Sequence, residues 1–114
     1  IVPGGGIALL NASNVLKPIS IGEEILLKAI TAPFFTLLAN AGIVLTSDQT
    51  DYLKKSKGEG LDVVTGKMVN MVKLGIIDPL LVTKSALVNA ASVASTILST
   101  DCVINNMRID ESNR

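Results

Sequence analysis

The feature that most constrains this chain is a long apolar segment near its C-terminal end. Residues 85–100 carry no charged side chain, and Asp78 followed by Pro79 stands a few positions before them. Asp is a preferred N-cap residue and Pro is favoured at the first helical position, so the pattern predicts a helix from Pro79 to about Thr100. Apolar residues cover most of its circumference. Such a helix is typical of a packed interior, where it is buried against several neighbours.

The composition narrows the class of protein. The chain has 114 residues, of which ten are basic and ten acidic, and it contains no His and one Cys. The balanced charge disfavours a binder of nucleic acid or of an anionic membrane. The lack of His excludes a Ser-His-Asp site and any His-ligated metal, and a single Cys excludes an internal disulfide and a Cys-cluster metal site. Apolar residues make up 48% but aromatic residues only 3%, which favours closely packed helices.

Helix signals also divide the first half of the chain. We expect one helix from Ile7 that ends before Pro18. Ser20 then opens a second helix through a capping box with Glu23. Pro33 either kinks this second helix or starts another one.

The following stretch predicts a short helix, a loop and a hairpin. Gly42 is placed to end the preceding helix, and Thr46 or Ser47 is placed to cap a helix through Leu53. Residues 54–60 are rich in Lys and Gly, which indicates a solvated loop. Two β-branched runs then flank a Thr-Gly pair, so residues 61–69 predict a small hairpin, although the second run could instead begin a helix.

Few residues offer chemistry, and each has a purely structural alternative. Asp62 and Asp78 are isolated carboxylates that could accept hydrogen bonds from a ligand, but Asp62 also suits a turn and Asp78 an N-cap. Gly4, Gly5 and Gly6 could bring backbone amides close to a ligand or form a flexible loop. Cys102 is most simply a small buried hydrophobe.

Two interpretations of the whole chain need no ligand-binding site. A non-catalytic helical interaction module would use Asp78 only as a cap and the glycines only as a loop. A membrane hairpin would use residues 29–47 and 85–100, but Pro33, Asn40 and Gly42 interrupt the first of these segments, and a span needs about 20 predominantly apolar residues. We therefore expect no membrane insertion.

Taken in order, the motifs resemble the C-terminal part of a group I (GroEL-type) chaperonin along the whole chain. The stretches that carry the resemblance are VPGGGIAL at residues 2–9, AITAP at 29–33, NAG at 40–42, GLDVVTG at 60–66, GIIDP at 75–79, VTKSAL at 82–87 and NAASVA at 89–94. The resemblance implies a mainly α fold: a multi-helical fragment of the equatorial domain with a small β-hairpin and a short C-terminal strand at residues 102–105. Residues 1–114 would be the C-terminal segment of that ATP-binding domain. The intermediate, apical and N-terminal equatorial parts would lie outside it, so that Ile1 is an internal cut in a longer protein.

The resemblance also implies an adenosine-binding half of an ATP site. In it, the backbone at Gly5 approaches the nucleotide, Ile76 packs on the base and Asp78 holds the ribose hydroxyls. Residues of the hairpin contact the adenine: Asp62, Val63 and Val64. The phosphate loops, the Mg²⁺-binding Asp and the catalytic Asp of the family match no residue of this chain, so we expect it to hold no catalytic or metal-binding residue and to be inactive alone.

For the intact protein the resemblance implies ATP-dependent refolding of non-native polypeptides. The implied partners are identical subunits in a heptameric ring, expected to be doubled, and a co-chaperonin, with neither nucleic acid nor membrane. The implied location is the bacterial cytoplasm, with an organelle as the alternative. Val63 and Val64 are larger than the Ala common in the family and narrow the expected adenine slot. By the same resemblance, Phe35 and Val44 lie near positions where many members carry opposite charges that meet between the rings.

Overall fold

The structure is a computed structural model that describes residues 1–100. Most of its helices and strands are short. It divides into two units, Ile1–Thr83 and a second unit that begins at Lys84. The helices are α1 (Ile7–Val15), α2 (Ile21–Ala29), α3 (Ala32–Asn40), α4 (Ser47–Lys55) and α5 (Leu80–Leu98). The strands are β1 (Val2–Pro3), β2 (Glu59–Asp62), β3 (Lys67–Asn70) and β4 (Ile77–Asp78). The mainly α class with a small hairpin is confirmed.

Local capping chemistry fixes the start of α2. The Ser20 hydroxyl accepts a hydrogen bond from the Glu23 N–H at 3.2 Å, as the sequence predicts. The second half of the expected capping box is wrong, because the Glu23 carboxylate accepts from the N–H of Ile19 at 2.7 Å and not from that of Ser20. Although the bond is made to the residue before the N-cap, the Glu23 carboxylate still satisfies a backbone N–H at the start of the helix.

Pro33 starts a helix and does not kink one. It lies in the first turn of α3, where a missing N–H costs no hydrogen bond. At the other end Gly42 adopts φ +70°, and its N–H donates to the Ala39 carbonyl at 3.1 Å while the Ile43 N–H donates to the Leu38 carbonyl at 2.9 Å. This pair of bonds is a Schellman ending, and it confirms the predicted role of Gly42.

A reciprocal capping box opens α4. Thr46 accepts from the Gln49 N–H and the Gln49 side chain accepts from the Thr46 N–H. Thr46, and not Ser47, is therefore the cap. The helix continues through Lys55 and β2 begins at Glu59, so most of the predicted loop at residues 54–60 belongs to regular structure.

Two antiparallel pairs of strands complete the first unit. β2 pairs with β3 in a hairpin, with Asp62 opposite Lys67, which confirms the predicted hairpin. Residues 63–66, which we call the hairpin loop, form its turn. The expectation that Val63 and Val64 lie in a strand is wrong, because the Asp62 carboxylate accepts a hydrogen bond from the Val64 N–H and holds the loop in a turn.

The second pair joins β1 to β4, with Val2 opposite Asp78. It corrects the predicted start of α5. The Thr83 N–H donates to the Pro79 carbonyl at 3.2 Å, so Pro79 is in the N-cap position and Asp78 belongs to a strand. The ladder with β1 holds the backbone of Asp78 in an extended conformation one residue before the helix can begin.

One hydrophobic core serves the first unit. Its buried members come from α1, α3, α4, β2 and the segment after β3: Ile7, Leu10, Phe34, Leu38, Leu53, Leu61 and Met71. The Asn11 side chain connects two of these elements, since its amide donates to the Leu53 carbonyl at 2.9 Å and its oxygen accepts from the Gly58 N–H at 3.3 Å. The core therefore fixes α1 against α4 and against the start of the hairpin.

The second unit, described by itself, is a single helical segment without another element to pack on in residues 84–100. Its burial among neighbours stays a prediction. By length and composition alone, α5 is the one helix within the described residues that is apolar and long enough to cross a membrane, a test that core helices of soluble proteins also pass. Residues 29–47 do not form a spanning helix, because α2 ends at Ala29 and α3 has nine residues. The predicted strand at 102–105 lies outside the described residues.

Candidate nucleotide-binding site

Residues 4–6, the glycine loop, lie directly beside the segment that leads into β4. The Gly4 N–H donates to the Ile76 carbonyl at 2.9 Å, and the β1–β4 ladder continues from that bond. A Cβ at Gly4 would lie 3.2 Å from the backbone carbonyl carbon of Ile76. Three of the predicted site residues therefore lie on two segments that backbone hydrogen bonds join, although they are distant in sequence: Gly5, Ile76 and Asp78.

The glycine loop has little room for side chains. Gly5 and Gly6 have φ of +67° and +77°, a region that favours glycine. A Cβ at Gly6 would lie 2.8 Å from the backbone nitrogen of Phe34, and one at Gly5 would lie 2.7 Å from Cε of Met71. The loop therefore keeps its backbone bare and turns the chain into α1, which begins at Ile7.

Asp78 and Ile76 offer complementary surfaces beside this loop. Asp78 is exposed, and within residues 1–100 its carboxylate makes no hydrogen bond. Ile76 is half-buried and packs against the core, so part of its side chain faces away from the interior. An apolar surface flanked by a carboxylate and by bare backbone is suited to a nucleoside, whose base is flat and whose sugar carries hydroxyl donors.

The hairpin residues of the predicted site are arranged differently. The Asp62 carboxylate accepts from the Val64 N–H at 3.0 Å and from the Thr65 hydroxyl at 3.1 Å. Val63 and Val64 are 46% and 90% exposed. Within the described residues no hydrogen bond joins Asp62, Val63 or Val64 to Gly5, Ile76 or Asp78. The structure therefore supports the turn role for Asp62 and leaves the two valines open to solvent.

The sequence patterns did not indicate Met71, which lies between the two groups of predicted residues. Its N–H donates to the Gly58 carbonyl at 3.0 Å, and its carbonyl accepts from the Ile76 N–H at 2.9 Å. Its side chain is 1% exposed. Met adapts its shape to irregular spaces, so its side chain can fill the gap between the backbones of Gly5 and Gly60.

A separate open cleft of about 610 Å³ lies next to β1. It contains none of the six predicted site residues; Lys57 and Lys73 are among its lining residues. Its two asparagines are already engaged, since Asn11 bonds Leu53 and Gly58 and the Asn70 side chain accepts from the Lys73 N–H at 3.1 Å. The Asn11 side chain and the Asn70 side-chain oxygen thus serve the fold itself.

Titratable groups are few near these elements. Tyr52 on α4 donates its phenolic hydrogen to the Glu59 carboxylate at the start of β2. This hydrogen bond, with the negative charge of Glu59, raises the pKa of Tyr52 above its usual value of 10.0. In residues 1–100 no three His, Cys, Asp or Glu side chains are grouped so that they could hold a metal ion.

Comparison with known proteins identifies the family. The TCP-1/cpn60 chaperonin family profile matches residues 1–108. The chain is 39% identical to the mitochondrial chaperonin CPN60-like 1 of Arabidopsis thaliana and 40% identical to the mitochondrial chaperonin CPN60 of Brassica napus, in both cases over 97% of its own length and 20% of theirs. A mitochondrial chaperonin CPN60 of Arabidopsis thaliana is 39% identical over 98% of the chain. This chain therefore belongs to the TCP-1/cpn60 chaperonin family and resembles its group I members, and it spans about a fifth of the length of these relatives.

The comparisons also correct one expectation. The predicted bacterial cytoplasmic location is wrong, because all three of these relatives are mitochondrial proteins and point to an organelle. The motifs could not separate the two locations, since they describe the family and carry no targeting signal. Membership of a chaperonin family supports a chaperone role and favours it over a non-catalytic interaction module.

Proposed function

We propose that this chain forms the base-binding and ribose-binding half of the ATP site in the equatorial domain of a chaperonin. The observation that carries the proposal is the contact between the glycine loop and the segment before β4, through the bond from Gly4 to Ile76. This contact supports the proposal because the bare backbone of the glycine loop, the Ile76 side chain and the Asp78 carboxylate belong to the two segments that it joins. These groups are suited to the base and the ribose, so their part of the binding requires no contact with a phosphate or a metal ion.

Each residue of the site has a role that its surroundings permit. The backbone of Gly5 comes close to the nucleotide, and its φ of +67° and the nearby Met71 side chain favour glycine at this position. Ile76 supplies the apolar contact to the base, and Asp78 accepts hydrogen bonds from the ribose hydroxyls. Asp62, Val63 and Val64 cover the far side of the adenine, and the two exposed valines become buried when the nucleotide binds.

In the intact protein this site would work within a larger assembly. We assign it ATP hydrolysis coupled to the binding and refolding of non-native polypeptides, in a heptameric ring of identical subunits, expected to be doubled, with a co-chaperonin. Mg²⁺ would be held together with the phosphates by residues outside this chain. The 114-residue chain alone should therefore show negligible ATP hydrolysis. The mitochondrial location of the relatives favours an organelle as the location of the intact protein.

The test uses the intact ring protein and ATP binding by calorimetry. Asp78→Ala should weaken ATP binding at least tenfold, because a hydrogen bond to a charged group contributes about 1.5–3 kcal/mol. It should also abolish the preference for ATP over its 2′,3′-dideoxy analogue. Asp51→Ala, which removes an exposed carboxylate on α4, is the matched control and should leave both values unchanged. If Asp78→Ala binds the two nucleotides as the wild type does, the ribose assignment is wrong.

A further inference from the structure

Met71 connects the two groups of residues that the proposed nucleotide site requires. Its backbone N–H reaches Gly58, just before β2, and its carbonyl receives the Ile76 N–H. Since Ile76 in turn accepts from Gly4, an unbroken chain of backbone hydrogen bonds runs from the start of the hairpin through Met71 to the glycine loop.

The side chain of Met71 makes the same connection by packing. A Cβ at Gly5 would lie 2.7 Å from its Cε, and a Cβ at Gly60 would lie 2.8 Å from its Cγ and Sδ. The thioether thus fills the space that side chains at both glycines would otherwise take. Gly60 belongs to β2 and stands two residues before Asp62, so Met71 lies between the glycine loop and the strand that carries the hairpin loop. At Gly60 it shares this space with Ile7, whose Cγ1 would lie 2.6 Å from a Cβ there.

The shape of Met suits this place better than that of other apolar residues. It is unbranched and has three rotatable bonds, so it can extend between two backbones where a branched side chain would need more width. Leu has nearly the same volume, and cores usually tolerate an exchange of Met for Leu. A Leu at position 71 would therefore keep the core filled but would change the separation between Gly5 and Gly60.

We propose that Met71 is a positioning residue of the nucleotide site, which sets the distance between the Gly5 backbone and the hairpin that covers the adenine. The inference rests on the proposed function above. Met71 itself is buried and does not touch the nucleotide. It affects binding indirectly, by setting the separation of the two backbones on either side of it. It therefore affects recognition of the base more than that of the ribose and the phosphates, which all nucleotides share.

The experiment compares Met71→Leu with Met68→Leu in the intact ring protein. Met68 lies on β3 of the same hairpin but is 38% exposed, which makes it a control of identical chemistry. Dissociation constants for ATP and CTP are measured by calorimetry, and the unfolding midpoint without nucleotide is measured by scanning calorimetry. Met71→Leu should weaken ATP binding about tenfold, equivalent to about 1.4 kcal/mol, and CTP binding much less. Met68→Leu should leave both dissociation constants unchanged.

The ratio of the two dissociation constants separates positioning from simple destabilisation. A purely structural defect lowers the fraction of folded protein and weakens ATP and CTP by the same factor, so an unchanged ratio in Met71→Leu would overturn the inference. Failure of the proposed function has a different signature. In that case the wild-type protein itself either does not bind ATP or does not prefer ATP to CTP.

Discussion

The glycine loop and the hairpin loop belong to the same proposed site, but different forces hold them. The glycine loop is fixed by distant parts of the chain: Gly4 bonds Ile76, and Gly6 leaves no room between itself and Phe34. The hairpin loop is fixed by its own neighbour, the Asp62 carboxylate, and its valines are exposed. One half of the site is therefore preformed by packing, and the other is only locally ordered and can adjust to a ligand.

The difference suggests a division of roles within the site. A preformed backbone offers fixed contacts at no cost of ordering when the ligand binds. An exposed apolar loop gains more from binding, because covering Val63 and Val64 removes apolar surface from water. The glycine loop would then set the orientation of the nucleotide, and the hairpin loop would contribute affinity.

The sharpest way to break the comparison is to add one methyl group to each loop. Gly6→Ala combines a left-handed conformation, which costs about 1–2 kcal/mol, with a clash against the Phe34 backbone that adds about 1–3 kcal/mol. Gly66→Ala has the same left-handed cost, with φ +73°, but no atom lies within 4 Å. Urea denaturation followed by circular dichroism should show a loss of about 4 kcal/mol for Gly6→Ala and about 1–2 kcal/mol for Gly66→Ala. Equal losses would mean that packing does not hold the glycine loop.

Truncation of Met71 and Met68 to Ala tests whether the side chain packed against the glycine loop contributes more stability than an exposed side chain of the hairpin. Met71→Ala empties a site that is buried against Gly5 and Gly60, and it should cost about 3 kcal/mol of unfolding free energy. Met68→Ala removes a side chain that water already reaches and should cost less than about 1 kcal/mol. The same denaturation series measures both. A similar loss for the two variants would show that Met71 is not part of the core.

Local chemistry explains which elements the sequence predicts well. Ser20, Thr46 and Gly42 act on backbone groups within a few residues of themselves, so their roles can be predicted without knowing the fold. The hairpin is predicted for the same reason. Its turn is misplaced because Val63 and Val64 favour strands, whereas the short-range bonds of Asp62 favour a turn, and the turn prevails.

Long-range contacts explain what the sequence could not predict. Asp78 before Pro79 has every local sign of an N-cap, but pairing with Val2, more than seventy positions away, draws it into a strand. The packing of Met71 against Gly5 depends on the same distant pairing and leaves no local pattern. From residues alone the candidate site was a set of separate alternatives, and only the family resemblance assembled it.

The hairpin loop itself should respond mildly to loss of its side-chain support. Asp62→Ala removes the acceptor of the Val64 and Thr65 hydrogen bonds, and because water can replace it at this half-buried position the cost should be about 1 kcal/mol. Asp62→Asn keeps one acceptor oxygen for the Val64 N–H and is the control, with a smaller loss. Amide hydrogen exchange at Val64 measures the effect directly. Unchanged exchange in Asp62→Ala would show that the loop does not depend on this carboxylate.

The smallest expected effect is a shift in the titration of Tyr52, at the base of the hairpin. Its pKa is raised above 10.0 by the hydrogen bond to Glu59 and by the charge of that carboxylate, and Glu59→Gln should lower it towards 10.0. Because the pKa is higher in the folded chain, the associated stability is fully present below pH 10.0 and is lost as the pH rises through the folded value. The chain has one Tyr and no Trp, so phenolate absorbance reports this group alone. A Tyr52 that titrates at or below 10.0, and does not respond to Glu59→Gln, would show that this hydrogen bond does not join α4 to the start of the hairpin. The hairpin base would then be held by other contacts, such as the bond from the Ser56 hydroxyl to the Glu59 carbonyl at 3.1 Å.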